Sequence, residues 1–548
     1  MTRLMGRMME MPLLVSSLLV HAARHHGTTE IVSRRVEGDL HRSSYAECEL
    51  RARKLAQALA RLGCEEGDRV GTLAWNGHRH LEIYYGSSGS GLVCHTINPR
   101  LYPEQIAWIA DDAADRVLCF DLDLLPLVES LAARLPQVRH FVALCDRDRM
   151  PPETALPGLL CYEELLEAED GDRAWPRLDE HAACGLCYTS GTTGEPRGAL
   201  YSHRSTVLHA YAASLPDAMG LSAEDGVLPV VPMFHVNAWG IPYSAPLTGA
   251  RLVLPGPQLD GASLYALFES ERVTLGAGVP TVWLGLLDHV KRHGRRFSSL
   301  RRAVIGGSAC PPSMLRTLED EHGVRVIHAW GMTELSPLGT LARLKARHEA
   351  LGPAERRRLL EKQGRAMAGI DLAVVDALGH VQPWDGASAG ELLARGPWVI
   401  ERYFKDERSA LREVDGVDWF PTGDVATIDA DGFMQITDRG KDMIKSGGEW
   451  ISSIALEHIA LSHPAVHEAA VVAVPHPKWG ERPLLVAVRR PGTAPTRADL
   501  IGHYEGRVAR WQVPDDVVFL PELPHTATGK VLKMKLREMF REHRLPDA

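Results

Sequence analysis

The stretch Tyr188-Thr189-Ser190-Gly191-Thr192-Thr193-Gly194-Glu195-Pro196-Arg197-Gly198 decides the fold. Its glycines let the backbone turn N–H groups inward. Its hydroxyls add short, rotatable donors, and Arg197 adds a charged fork. Such a loop suits phosphate. The run before it, Ala182-Ala183-Cys184-Gly185-Leu186-Cys187, is small and apolar and predicts a buried strand feeding the loop. A plain Ser/Thr/Gly linker rarely sits between an apolar strand and a further apolar segment. No G-x-x-x-x-G-K-[ST] occurs, so the loop is not of the Walker A kind.

Upstream, Ser44-Tyr45-Ala46-Glu47 reads as a capping box. Cys48, Ala52, Leu55, Leu59 and Leu62 follow at steps of four and three, and Gly63 ends that helix. Strands are predicted over 69–74, 92–96 and 116–120, with helices from His80 towards Gly86 and from Pro103 through Ile109. Residues 146–182 read as a surface connection. Downstream, strands are predicted over 227–232, 251–254, 274–279, 300–305 and 324–329. Two of them end in Gly306-Gly307-Ser308-Ala309 and Trp330-Gly331-Met332-Thr333-Glu334, the kind of strand end where α/β sheets place ligands. Residues 341–363 read as one or two exposed helices. The alternation predicts an α/β fold with doubly wound sheets.

From about residue 370 the pattern changes to short β runs with Gly/Asp turns, at 371–376, 390–395, 425–428 and 433–437. These predict a small β-barrel-like part. The polar break Asp438-Arg439-Gly440-Lys441-Asp442 marks a domain boundary, giving domains 1–438 and 439–548 with a hinge near 438–441. The second is a small α+β unit: a helix from Ser453 to before Pro464, strands over 469–474 and 484–488, and a helix over 497–510.

The chain has 548 residues, long enough for several domains, with 45% apolar and 24% charged residues. A net charge of −9 without a long Lys/Arg run argues against a nucleic-acid partner. Nine scattered cysteines fit reduced thiols in a cytoplasm better than a disulfide framework, and Cys184-x-x-Cys187 reads as strand packing. His78/His80 and His25/His26 have no Cys or carboxylate partner at ligand spacing. Arg3 and Arg7 precede the apolar Met11–Ala23, but Glu10 interrupts and no run approaches the ~20 residues of a membrane span. Pro12 to Ala23 reads as a first core helix, and the protein as cytoplasmic.

Seven separated stretches then agree. YTSGTTGEPRG, PMFHVNAW, GGSA, WGMTE, DWFPTGD, DRGKDMIKSGGEWIS and PHTATGK occur in one order along the chain. Together they resemble the adenylate-forming superfamily of acyl-CoA synthetases, peptide-synthetase adenylation domains and luciferases. PMFHVNAW and KSGGEWIS resemble its fatty-acyl-CoA synthetase branch, with medium- or long-chain acids. The resemblance implies a two-step reaction: a carboxylate attacks the α-phosphate of MgATP to give acyl-adenylate and pyrophosphate, and the CoA thiol then displaces AMP. Bringing two anions together calls for cations and aligned dipoles.

The resemblance implies roles residue by residue. Thr189, Ser190, Gly191, Thr192, Thr193 and Gly194, with Arg197, would cradle the β- and γ-phosphates. Glu334, with Thr189, would ligate Mg²⁺. Trp330 would stack on adenine, Gly306, Gly307 and Ser308 would allow close backbone approach, and Gly331, Met332 and Thr333 would complete the nucleotide side. Asp424 would bind the ribose hydroxyls and Arg439 the ribose or phosphate. Lys530 would contact carboxylate and α-phosphate oxygens during adenylation. Lys441 would be the hinge about which the small domain rotates. The other pose would present Lys445, Gly447 and Gly448, with Trp450 just beyond, to the pantetheine of CoA. His235 would sit beside the acyl carboxylate in a positioning role, since that carboxylate is already ionised at pH 7. Trp239 would gate the acyl tunnel. Plainer readings stand beside these: a helix-start Glu334, core indoles for Trp330 and Trp239, a turn aspartate for Asp424 and a surface lysine for Lys530.

Two departures stand out. Arg197 occupies a position where lysine is usual, keeping the charge but adding bulk and bidentate geometry. The usual Asp-Gly-Trp-Phe is Val417-Asp418-Trp419-Phe420, which puts the local turn in doubt. Loading of a carrier protein, and non-catalytic acyl-nucleotide binding, are the competing functions. No carrier domain is present in the sequence, and intact Glu334, Asp424, Arg439 and Lys530 argue against the second. The resemblance leaves room for a homodimer and for peripheral membrane contact. Acyl chain length is not readable.

Overall fold

A computed structural model describes residues 4–189, 196–440, 442–446, 449–526 and 530–546, without the side chains of Arg439 and Trp450. The phosphate-loop positions Ser190, Gly191, Thr192, Thr193 and Gly194, the hinge Lys441, the glycines Gly447 and Gly448, and those two side chains therefore lie outside the described residues.

Two large sheets and two small ones carry the chain. The first large sheet orders Leu160–Cys161, His140–Leu144, Asp115–Asp121, Arg69–Leu73, Val93–Thr96, Ala183–Tyr188 and Gly198–Ser202. All its pairings are parallel except the last, where Gly198–Ser202 returns beside Ala183–Tyr188. The second orders Arg365–Ala366, Leu338–Leu341, Arg325–Gly331, Arg302–Ile305, Leu275–Gly278, Gly226–Pro229, Arg251–Leu254, Glu30–Arg34 and Leu40–Ser44, parallel at its centre. Strands covered on both faces need near-continuous apolar runs, which is why Arg302–Ile305 and Leu275–Gly278 carry no alternation. A five-stranded antiparallel sheet follows, built on Asp371–Val375, Gly390–Arg395, Arg412–Val414, the long Val417–Ile428 and Met434–Arg439. It is the β-rich part expected after residue 370. The last sheet comprises Ile444–Ser446, Glu449–Ile451, Val466–His476, Gly480–Arg489 and Asp516–Phe519, with its own apolar clusters.

The first helix is Val15–His25, starting a turn later than Pro12, with Val15, Leu18, Leu19 and Ala22 buried on one face. Among the described residues no helix is long and apolar enough to cross a membrane. Ser44 caps Tyr45–Arg61 by accepting from the Glu47 N–H, and Gly63 follows in the left-handed region. All nine cysteines are free thiols. Burial pushes Cys184 up to about 12 and Cys187 up to about 11, and both thiols are packed within the strand Ala183–Tyr188.

Three expectations change. The connection 146–182 contains Leu160–Cys161, which adds an edge strand to the first sheet, and the helix Tyr162–Glu167. Their apolar residues Tyr162, Leu165 and Leu166 are buried, a short amphipathic signal hidden among Pro, Asp and Glu. The helix over 497–510 stops at Gly502, and Gly506 turns with φ +71°. The doubted turn before Trp419 is intact. Val414 pairs with Val417, leaving Asp415 and Gly416 as a two-residue hairpin loop, both in the left-handed region at φ +51° and +74°. Asp-Gly is the preferred chemistry for that turn, so the glycine has moved upstream and the geometry remains. Replacing Gly416 by Val should lower stability by about 1–2 kcal/mol, read as a fall of a few degrees in thermal midpoint. An unchanged midpoint would contradict the turn.

Candidate active site

The end of the strand Arg325–Gly331, the antiparallel sheet at Asp424, and the helix Ser453–Leu461, the start of the strand Val466–His476 and the segment 530–537 of the small unit meet around a cavity of about 340 Å³. Its walls include His235, Gly307, Ser308, Trp330, Gly331, Asp424 and Lys530. Seven positions singled out from the sequence, up to 295 residues apart, are thus brought together.

The glycines are required by contact. A Cβ on Gly306 would lie 2.7 Å from the Ala329 carbonyl oxygen and 3.2 Å from the Trp239 ring. Gly307 has φ +81°, and a Cβ there would lie 3.1 Å from Val279 and 3.4 Å from Lys530 Cε. The tip of Lys530 therefore rests over the Gly306-Gly307 turn. It is held there locally by two bonds: Lys530 N–H donates to Thr526 Oγ1 at 3.1 Å and Thr526 N–H to the Lys530 carbonyl at 2.6 Å.

Trp330 ends the strand Arg325–Gly331, and its indole N–H donates to Asp424 Oδ2 at 2.8 Å. Both residues are buried, at 6% exposure each. The indole edge thus fixes the carboxylate and leaves stacking to the ring faces. Met332 N–H donates to the Pro337 carbonyl, and Thr333 receives the Tyr201 hydroxyl on its carbonyl. Glu334 lies in the following turn, also buried; its Oε1 accepts from the Tyr403 hydroxyl at 2.7 Å, and its carbonyl accepts from Ile400 N–H.

Thr189 and Arg197 close the base of the phosphate loop. Thr189 N–H donates to the Arg197 carbonyl, and Arg197 N–H donates to Thr189 Oγ1. The Arg197 guanidinium lies 3.9 Å from the centre of the Tyr403 ring. Arg197 and Glu334 therefore meet at Tyr403. Lys445 lies apart, exposed on the strand Ile444–Ser446 with its N–H donating to Glu481, and is not brought to the cavity.

His235 precedes a rare backbone segment. Val236, Asn237, Ala238, Trp239 and Gly240 all have φ between +42° and +77°. Left-handed backbone costs a non-glycine residue roughly 1–2 kcal/mol. Packing compensates: the segment is buried, and the Asn237 side chain accepts from the Tyr84 hydroxyl at 3.2 Å. The outcome is a Trp239 ring laid against Gly306. Burial, then the nearby Lys530, lower His235 to about 3. The unfolded ring binds its proton near pH 6.5, so the folded form loses stability as pH falls from there towards 3, while above about pH 4 the folded ring stays neutral.

Sequence reasoning missed three groups. Tyr403 is one. The second is the buried set around Lys533, whose ammonium pairs with Glu457 at 2.6 Å and donates to Ser453 Oγ at 2.7 Å. The third is Asp438, fully buried, which accepts from the Ser453 N–H at 2.6 Å. Lys533, three residues past Lys530, thereby ties that turn to the helix Ser453–Leu461 and to the end of the strand Met434–Arg439. Among the described residues no group of three or more His, Cys, Asp or Glu could hold a metal.

A glycine turn, a buried aspartate held by an indole and a lysine from the small unit thus share one cavity. The pattern of the AMP-binding enzyme family matches residues 18–404, and that of the AMP-binding enzyme C-terminal domain matches 455–530. The chain belongs to this family. It is 54% identical to a 3-methylmercaptopropionyl-CoA ligase of Ruegeria lacuscaerulensis, covering 98% of this chain and 99% of that one. It is 52% identical to a medium-chain-fatty-acid–CoA ligase of Ectopseudomonas oleovorans, covering 98% of both, and 48% identical to a long-chain-fatty-acid–CoA ligase of Thermus thermophilus, covering 98% and 97%. The fold is also that of an anthranilate CoA ligase crystallised with anthranoyl-AMP, at a TM-score of 0.85 and 24% identity over 97% of this chain and 98% of that one.

Trp330→Phe should leave the fold intact and raise the KM for ATP by about five- to tenfold, the worth of one buried hydrogen bond. An unchanged KM would detach the indole from nucleotide binding. Between pH 5.5 and 8 the rate profile of His235→Ala should keep the wild-type shape at a lower rate. Loss of an inflection near pH 6.5 would show that His235 titrates after all.

Proposed function

We propose that this protein is an AMP-forming acid–CoA ligase whose acid is a medium- or long-chain fatty acid. The observation that carries the reading is the single cavity shared by His235, Gly307, Trp330, Asp424 and Lys530. The family resemblance implies a two-step chemistry, and these residues suit it. A carboxylate oxygen attacks the α-phosphorus of ATP and pyrophosphate departs. Lys530 supplies positive charge where the two anions approach, and the peptide dipoles of the Gly306-Gly307 turn lie close because no Cβ intervenes. Asp424, oriented by Trp330, accepts from the ribose hydroxyls. Neutral His235 positions the acid and takes no proton. By the resemblance, the loop from Thr189 to Gly194 would cradle the phosphates and Arg439 would assist at the ribose or phosphate.

The donor set fits Mg²⁺. Glu334 offers a hard carboxylate oxygen and Thr189 a hydroxyl. Mg²⁺ usually takes only one or two protein carboxylates together with substrate phosphates. When bound it neutralises charge on the phosphates.

In the second step the thiol sulfur of CoA attacks the acyl carbon and AMP leaves. Lys445 lies away from the cavity that contains Lys530, which supports a rotation of the small unit about Lys441 between the steps. Trp239, laid on Gly306, would border the acyl path. A homodimer is part of the same reading.

The acid has a rival. The 54% identical relative is named for 3-methylmercaptopropionate, a short thioether acid. Pyrophosphate release across acids of graded length, with and without CoA, decides. Medium- or long-chain acids should exceed 3-methylmercaptopropionate in kcat/KM by about tenfold or more; the reverse order would make the thioether acid the substrate. Pyrophosphate without CoA consumption would favour carrier loading, and none with any acid would leave a binding protein. Lys530→Ala should abolish adenylation yet leave thioesterification of supplied acyl-adenylate largely intact. Equal loss of both half-reactions would contradict its role.

A further inference from the structure

We propose that Tyr403 is a positioning residue for the Glu334 carboxylate, and that Arg197, stacked on its ring, couples that carboxylate to the phosphate loop. This rests on the reading of Glu334 as the Mg²⁺ ligand.

Three observations carry it. First, Tyr403 and Glu334 are buried, at 7% and 6% exposure, so water competes poorly for their 2.7 Å hydrogen bond. The phenol can donate only one proton, to Oε1. A carboxylate has two oxygens, so one is fixed by the protein and the other keeps its lone pairs for a hard cation.

Second, one short segment clamps both partners. Ile400 N–H donates to the Glu334 carbonyl at 2.9 Å, and Phe404 N–H donates to the Gly198 carbonyl at 2.8 Å. Residues 400–404 thus bracket the Glu334 turn and the exit of the phosphate loop, with Tyr403 between them.

Third, the Arg197 guanidinium sits 3.9 Å from the Tyr403 ring centre. A planar, delocalised cation stacks on an aromatic face, whereas lysine presents a compact point charge. The arginine that departs from the usual lysine therefore has an aromatic partner at cation–π distance. Movement at the phosphates and movement at the carboxylate pass through one phenol ring.

Groups that orient a metal-binding side chain typically change metal affinity by about 10- to 100-fold when removed. The test is calorimetric binding of ATP to the full-length protein, in excess Mg²⁺ and in EDTA, for wild type, Tyr403→Phe, Arg197→Lys, the double variant and Glu334→Gln. Thermal midpoints monitor folding. Tyr403→Phe should weaken MgATP binding about tenfold while changing metal-free ATP binding less than about twofold. Its loss should not add to that of Arg197→Lys, as expected for residues in contact. Equal weakening with and without metal would make Tyr403 merely structural. Additive losses would remove the coupling. No effect of Tyr403→Phe alongside a clear effect of Glu334→Gln would overturn the positioning role alone. No effect of either would overturn the reading of Glu334 and this inference with it.

Discussion

A buried indole N–H must find an acceptor. For Trp330 that acceptor is Asp424, and the bond crosses from a large parallel sheet to the antiparallel one. Leaving such a group unpaired would cost about 1–3 kcal/mol. The bond joins the two sheets at the cavity, beside the backbone bonds between Gln363, Gly364 and Met434 and a shared apolar cluster. The strand of Asp424 pairs with Met434–Arg439, which ends at Asp438 and Arg439. Asp438 holds the start of the helix Ser453–Leu461, and through Ser453 and Glu457 that helix holds Lys533. A continuous run of bonded groups leads from the strand of Trp330 to the segment that carries Lys530.

That run explains how a site for anions is assembled from distant segments. Lys530 reaches the Gly306-Gly307 turn from almost the end of the chain. Its cationic tip lies beside a histidine held neutral by burial and by that same charge. One positive charge is thus brought to the cavity wall, with no second cation on the histidine. The glycines admit the lysine, and the buried Lys533–Glu457 pair anchors its segment without adding net charge.

What was legible in the sequence follows from how local each constraint is. Parallel strands needed apolar runs, and the close approach at Gly306 and Gly307 was legible because a glycine pair at a strand end is a local signal. Tyr403 was not, since a tyrosine in Gly396-Pro397-Trp398-Val399-Ile400-Glu401-Arg402-Tyr403 carries no local sign of a bond to a residue 69 positions away. Asp438 was seen as part of a polar break, although it is fully buried, because its partners come from beyond the break. Lys533 was hidden for the same reason: an isolated lysine reads as solvated until Glu457 is placed beside it. Gly416 was overlooked because the turn was sought one motif too late. The left-handed run at 236–240 had no signature beyond Asn237 and Gly240, the residue types that tolerate it.

That run has a consequence for how the protein can change over time. Four consecutive non-glycine residues hold a backbone that a heritable change to glycine would relax. At Trp239 that relief, about 1–2 kcal/mol, is outweighed by the about 3–5 kcal/mol lost with a buried indole, so only Ala238, where a single methyl is at stake, is open to such a change. Variants recovered from thermal selection should therefore keep Trp239 and vary at Ala238, because heat tolerance gained there would come with a looser indole on Gly306.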